Sequence, residues 1–132
     1  MNQGIEREKI FVIDDELNIL ETIKAALEEE GFSVSCYQNP LDGLKAAEAR
    51  SPDLIITDLV MPDLDGLKVI QRAKAINPET NVVVVTAHAS LETAIGAIHA
   101  GGSDYLVKPF KIEELLNAVK KALSQKRLMS EV

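Results

Sequence analysis

Asn81-Val82-Val83-Val84-Val85-Thr86 constrains the fold of this chain more than any other stretch. Its β-branched run favours an extended backbone, and it shows no polar–apolar alternation, so a strand here must be covered on both faces. Burial on both faces belongs to parallel sheets flanked by helices, and the rest of the chain supplies matching pieces. Lys9-Ile10-Phe11-Val12-Ile13 and Leu54-Ile55-Ile56 read as further buried strands. Phe32-Ser33-Val34-Ser35-Cys36-Tyr37 alternates as an edge or half-covered strand does, and Tyr105-Leu106-Val107 is a short fifth.

Helical periods fill the gaps. Leu17, Leu20, Ile23 and Leu27 keep helical spacing up to Gly31, a C-cap residue. Asn39-Pro40 caps and opens a second helix through Leu41, Leu44 and Ala47. Leu67, Ile70, Ala73 and Ile76 mark a third, closed by Asn77-Pro78. A fourth spans about Ser90 to Ala100 and carries Gly96 inside it, at a cost of about 1 kcal/mol against Ala, which makes it the least rigid helix expected. Ile112, Leu115, Leu116, Val119 and Leu123 share one face of the last. Such alternation specifies an α/β fold, a doubly wound five-stranded parallel sheet with right-handed crossovers. The expected strand order is 2-1-3-4-5, with a cleft where strands 1 and 3 adjoin.

Bulk properties bound the function. At 132 residues and 46% apolar content the chain makes one domain with a real core. The expected organisation is an N-terminal tail over 1–8, a domain over 9–124, and the start of a helical linker or a C-terminal tail over 125–132. No apolar run reaches the length of a membrane helix. The polar start is no signal peptide, and with Cys36 the lone cysteine a cytoplasmic location is expected. A net charge of −7 argues against direct nucleic-acid binding by this domain.

The chemistry-bearing residues fall at the carboxyl ends of the strands: Asp14 and Asp15 after the first, Asp58 after the third, Thr86 ending the fourth and Lys108 after the fifth. Any one alone would be read as a cap, a turn former or a solvated charge. Jointly they put three carboxylates in one cleft, which resist ionising together unless a cation neutralises them. All-oxygen ligands of this kind suit Mg²⁺, with Mn²⁺ as a substitute. Lys108 adds a positive charge and Thr86 a hydroxyl donor, so the set can hold a transferring phosphoryl group while Asp58, on the central strand, attacks.

These residues, with Met61-Pro62, Asp65-Gly66, Thr86-Ala87 and Asp104-Tyr105-Leu106-Val107-Lys108-Pro109-Phe110, resemble the receiver domain of bacterial two-component response regulators over roughly Lys9 to Leu123. The resemblance implies the (βα)5 receiver fold, shared with flavodoxin-like proteins. It implies that Asp58 accepts a phosphoryl group from a sensor histidine kinase, the domain catalysing only its own phosphoryl transfer and dephosphorylation. Asp15, Asp58 and the Val60 carbonyl would bind Mg²⁺ directly and Asp14 through water. Lys108 would contact the phosphoryl oxygens and precede a cis bond to Pro109. Thr86 and Tyr105 would act as switch residues, and the face made by the fourth helix, fifth strand and fifth helix would meet an output module, a partner or a second copy.

Val60 and His88 stand where this family borders the phosphate and sets its rate of hydrolysis. An apolar Val60 cannot position water, which implies a long-lived phosphoryl group; His88 reads as a pH-sensitive contact or a plain exposed loop residue. The stretch Thr86 to Phe110 also resembles receivers of enhancer-binding transcriptional regulators, with a single-domain regulator as the competing reading. Three other functions compete with this reading. An aspartyl-phosphate phosphohydrolase needs an Asp-x-Asp motif and a cap domain, a flavodoxin-like cofactor binder needs a Ser/Thr/Gly-rich phosphate loop, and an unphosphorylated adaptor receiver would lack key residues.

Overall fold

The structure, a computed structural model, describes residues 7–62 and 64–131, residues 126–131 by backbone alone. Most of the expected N-terminal tail therefore lies outside the described residues. The elements run β1 (Lys9–Ile13), α1 (Leu17–Glu29), β2 (Ser33–Tyr37), α2 (Pro40–Ala49), β3 (Leu54–Thr57), α3 (Gly66–Ile76), β4 (Asn81–Thr86), α4 (Leu91–His99), β5 (Asp104–Val107) and α5 (Ile112–Glu131). All neighbouring strands are parallel and their order is β2-β1-β3-β4-β5, as expected from the alternation.

Two cores account for the unbroken apolar strands. Successive side chains of a strand point to opposite faces, so Ile10, Val12, Leu54, Ile56, Val83 and Val85 enter one core with Leu20, Ile23 and Leu27 of α1 and Leu115, Val119 and Leu123 of α5. The intervening Phe11, Ile13, Ile55, Val82 and Val84 enter the other, with α2, α3 and Ala97 of α4. Local signals end the helices where the sequence places stops. Gly31 adopts φ +95, a left-handed conformation that terminates α1 without the penalty a Cβ would bring. Asn39 and Asp65 accept the backbone N–H groups of Leu41 and Leu67 and so cap α2 and α3.

Two leucines with helical spacing lie in the expected helices but outside the core. Leu17 is 54% exposed and Leu41 46% exposed, although both keep the period of a buried stripe. Each lies in the first turn of its helix; in α2 it is the neighbouring Pro40 and Gly43 that are buried. Cys36 is an ordinary strand residue: its thiol faces the Leu20 carbonyl at 3.7 Å, and burial pushes its pKa up, away from reactivity. Among the described residues no helix is long and apolar enough to cross a membrane. α5 runs on without a break from Ile112 to Glu131.

The helices are not held equally. α1 buries Leu20, Ile23 and Leu27, and α3 buries Gly66, Val69, Ile70 and Ala73. α4 buries Ala97 alone and exposes Leu91, Ile95 and Ile98. Gly96, expected to loosen this helix, faces Leu67 of α3; a Cβ there would come to 3.4 Å from that side chain, a contact a flexible leucine can absorb.

Gly66 is the tightest point near the carboxyl edge. Its N–H donates to the Leu59 carbonyl at 2.9 Å, and a Cβ on it would meet the Leu59 backbone and lie 2.6 Å from the Asp58 carbonyl oxygen. Backbone cannot rotate away as a side chain can. Gly66→Ala is therefore expected to destabilise the domain by about 3 kcal/mol or more, read as a lower urea midpoint with an unchanged m-value.

Candidate functional site

The sheet register decides which side chains meet. Ile13 pairs with Thr57, Thr57 with Val84, and Thr86 with Val107. Backbone bonds carry the ladder past the strand ends: the Asp58 N–H donates to the Ile13 carbonyl at 3.1 Å and the Lys108 N–H to the Thr86 carbonyl at 2.9 Å. Asp14 and Asp58 therefore leave neighbouring strands at one level, and Lys108 leaves β5 at the same edge.

Their side chains converge. The Lys108 Nζ donates to Asp14 Oδ2 at 2.7 Å and to Asp58 Oδ2 at 3.0 Å, with Glu16 Oε1 at 3.5 Å. The Asp14, Asp58 and Lys108 side chains are almost wholly buried, while that of Glu16 is 59% exposed. The remaining carboxylate oxygens are taken by backbone: Asp14 Oδ1 accepts the Glu16 N–H at 2.9 Å and Asp58 Oδ1 accepts the Val60 N–H at 3.2 Å. Burial alone would pull the Lys108 pKa down, but its hydrogen bonds to Asp14 and Asp58 outweigh this and raise it. Burial pushes the Asp14 pKa up, and the bonds from Lys108 and the Glu16 amide recover only part of the lost hydration. The contact is thus one-sided. The ammonium gains because several acids surround it, and Asp14 does not recover its hydration because it shares that ammonium with Asp58.

Beside this cluster opens a cleft of about 360 Å³ walled by Asp15, Glu16, Asp58, Val60 and His88, with Met61-Pro62 along one side. Asp15 and the His88 ring are exposed on its wall, and Val60 is half exposed. Thr86 is fully buried next to the cleft, where its Oγ1 accepts the His88 N–H at 3.1 Å. Tyr105 is not at the carboxylates: its hydroxyl lies 2.7 Å from Thr93 Oγ1 on α4. The Lys108–Pro109 peptide bond is cis.

Glu16 was not anticipated as a site residue, because an acid before a helix reads as a cap. It occupies the N-cap position of α1 without making a side-chain cap bond, and its carboxylate turns to Lys108 instead. An Asp-Asp-Glu run with one acid more than a cap needs was the available signal. Carboxylate oxygens of Asp14, Glu16 and Asp58 lie within 4.8 Å of one another. This all-oxygen donor set fits a hard divalent cation that keeps part of its water shell. Asp15 stands outside that trio, on the cleft wall.

Residues 10–120 match the response regulator receiver domain. The chain belongs to this family. The receiver domain is 34% identical over 124 residues to the DNA-binding transcriptional regulator NtrC of Escherichia coli K12, covering 94% of this chain and 26% of that protein. It superposes on a CheY-like receiver domain protein from Methanospirillum hungatei JF-1 with a TM-score of 0.91 at 29% identity, covering 94% of this chain and 99% of that one. Against the beryllofluoride-activated NtrC4 receiver domain dimer the TM-score is 0.86 at 34% identity, covering 89% and 98%. The chain spans between about a quarter and about half of the length of the curated relatives it matches.

The raised Asp14 pKa fixes the sign of a stability test. Protonated Asp14 favours the fold; that contribution is present below the ordinary carboxylate value and is lost as pH rises through the raised one. Asp14→Asn keeps the acceptor for the Glu16 amide and removes the charge. Its amide nitrogen replaces the oxygen that Lys108 bonds, so the pH dependence is the diagnostic: between pH 4 and pH 7 its melting temperature is expected to gain a few degrees on that of the wild type, read by thermal denaturation at the two pH values.

Proposed function

We propose that this receiver domain is a phosphorylation-activated switch in which Asp58 accepts a phosphoryl group from the phosphohistidine of a sensor histidine kinase. The observation that carries this reading is the buried Asp58 carboxylate held 3.0 Å from the Lys108 ammonium beside Asp14, opening on a cleft. One Asp58 oxygen forms the new P–O bond as the N–P bond of the donor breaks, and the departing imidazole takes up a proton. The product is an acyl phosphate. Lys108 is placed to turn from the Asp58 carboxylate to the phosphoryl oxygens, so the positive charge needed by the product is already in position.

Asp15, Asp58 and the Val60 carbonyl would hold Mg²⁺ directly and Asp14 through water, with Glu16 beside them. The ion, when bound, supplies charge compensation to the phosphoryl oxygens. The domain turns over only its own phosphoryl group. The alternative of a phosphohydrolase lacks support, because Asp14 and Asp15 are adjacent rather than spaced by one residue. An unphosphorylated adaptor is disfavoured because Asp58, Lys108 and Thr86 are all present.

Leu91, Ile95 and Ile98 on α4, Val107 on β5 and Ile112 on α5 are exposed apolar residues. They support this face as the surface that docks a C-terminal output module or a second phosphorylated copy in the cytoplasm. NtrC-type relatives are several times longer than the receiver, and the NtrC4 receiver was solved as an activated dimer. The family setting supports transcriptional control through the output module, without nucleic-acid or membrane contact by the receiver.

Incubation with acetyl phosphate and Mg²⁺ is expected to add one phosphoryl group to the wild type by intact mass and none to Asp58→Ala; a gain retained in Asp58→Ala would move the acceptor elsewhere. Val60 has no group to align a water against the phosphorus. Val60→Gln is therefore expected to lose its phosphoryl group several-fold faster than the wild type, followed by the same mass measurement over time.

A further inference from the structure

Thr93 is the residue through which the β4–α4 turn and Tyr105 touch. It stands in the first turn of α4, and its Oγ1 lies within hydrogen-bond distance of the Ser90 N–H at 3.0 Å, the His88 carbonyl at 3.2 Å and the Tyr105 hydroxyl at 2.7 Å. The Ser90 hydroxyl and carbonyl lie at 3.1 Å and 3.0 Å. A threonine hydroxyl has one proton and two lone pairs. One assignment uses all three: Thr93 donates to the His88 carbonyl and accepts from the Ser90 N–H and from Tyr105. His88 is in turn fixed by its own N–H, which donates to Thr86 Oγ1 at 3.1 Å. A continuous path of hydrogen bonds then runs Tyr105, Thr93, His88, Thr86.

We propose that Thr93 is a positioning residue, a hydroxyl latch that holds the Tyr105 side chain and the β4–α4 turn in their unmodified arrangement. The inference rests on the reading that Asp58 is phosphorylated and that Thr86 answers to it. Thr86 has one oxygen. When that hydroxyl swings to a phosphoryl oxygen, the His88 amide loses its acceptor and the turn is released. The turn is bonded to Thr93 through both the His88 carbonyl and the Ser90 N–H, so a turn that moves carries the Thr93 hydroxyl with it, away from Tyr105, and the tyrosine is freed. In the reverse direction, the 2.7 Å bond to Tyr105 opposes the swing of Thr86 until the modification is made. α4 can follow because Ala97 is its one buried residue.

Thr93 touches neither Asp58 nor the cleft, so its effect has to be read as coupling. Thr93→Val keeps the shape and removes the hydroxyl, Tyr105→Phe removes only the far end of the bond, and Thr93→Ser keeps the hydroxyl. The probe is beryllofluoride with Mg²⁺, an acyl-phosphate mimic, titrated while the His88 and Tyr105 amide resonances are followed by NMR. Each of Thr93→Val and Tyr105→Phe is expected to bind beryllofluoride about two- to ten-fold more tightly than the wild type, the range set by one neutral hydrogen bond. The double variant is expected to bind no more tightly than the tighter single one, and Thr93→Ser to match the wild type. Additive effects of Thr93→Val and Tyr105→Phe, or affinities unchanged in both, overturn the latch. If Thr93→Val does not fold, unchanged affinity in Tyr105→Phe alone overturns it. Intact-mass analysis of the same samples after acetyl phosphate separates the two levels: no Asp58 modification rejects the switch itself, whereas normal modification without coupling rejects only Thr93.

Discussion

One ammonium among three carboxylates is the interaction on which the carboxyl edge depends. Lys108 comes from β5, 94 residues from Asp14 and 50 from Asp58, and it sits within 3.0 Å of both. Remove its charge and two buried acids face each other across the ends of β1 and β3 with nothing between them. Keep it, and Asp14 is still under-compensated, because burial strips it of more hydration than Lys108 and the Glu16 amide restore. The site is therefore held in a state short of positive charge. A divalent cation would answer that shortage, and a phosphoryl dianion on Asp58, the acceptor proposed above, would restore the demand for it.

That tension can be stored because the sheet does not yield. The strands that deliver Asp14, Asp58 and Thr86 are buried on both faces, in two separate apolar clusters. Backbone bonds from Asp58 to Ile13 and from Lys108 to Thr86 fix the first residues beyond the strands. Gly66 then packs against the chain just after Asp58, leaving no room for the acceptor to drift. Rigid elements so fix the charged groups, and the conformational freedom lies one layer out.

The strands and their order were legible because periodicity reports burial directly. Four valines in a row can only be a strand covered on both sides, and strand–helix alternation then leaves few topologies. The convergence of Asp14, Asp58 and Lys108 followed from the same logic, since strand ends of a parallel sheet share one edge. Three things were not legible. Glu16 is silent in the sequence as a neighbour of Lys108, because sequence records which residue precedes a helix but not where its side chain turns. Leu17 kept a helical period yet lies exposed, because period says nothing about which turns of a helix reach the core. Thr93 carried no signal, because its role depends on a tyrosine twelve residues away that comes within reach only when α4 packs beside β5.

The uneven anchoring of the helices has a further meaning. A helix that fills the interior with several large side chains cannot shift without opening a void, and voids cost as much as whole hydrogen bonds. α4 inserts one alanine. Its displacement leaves almost nothing empty behind it, so the outer surface can be re-shaped by energies the size of a single polar contact. In a domain of this architecture the message is inexpensive to write on the side that is read, and the chemistry that writes it stays locked away.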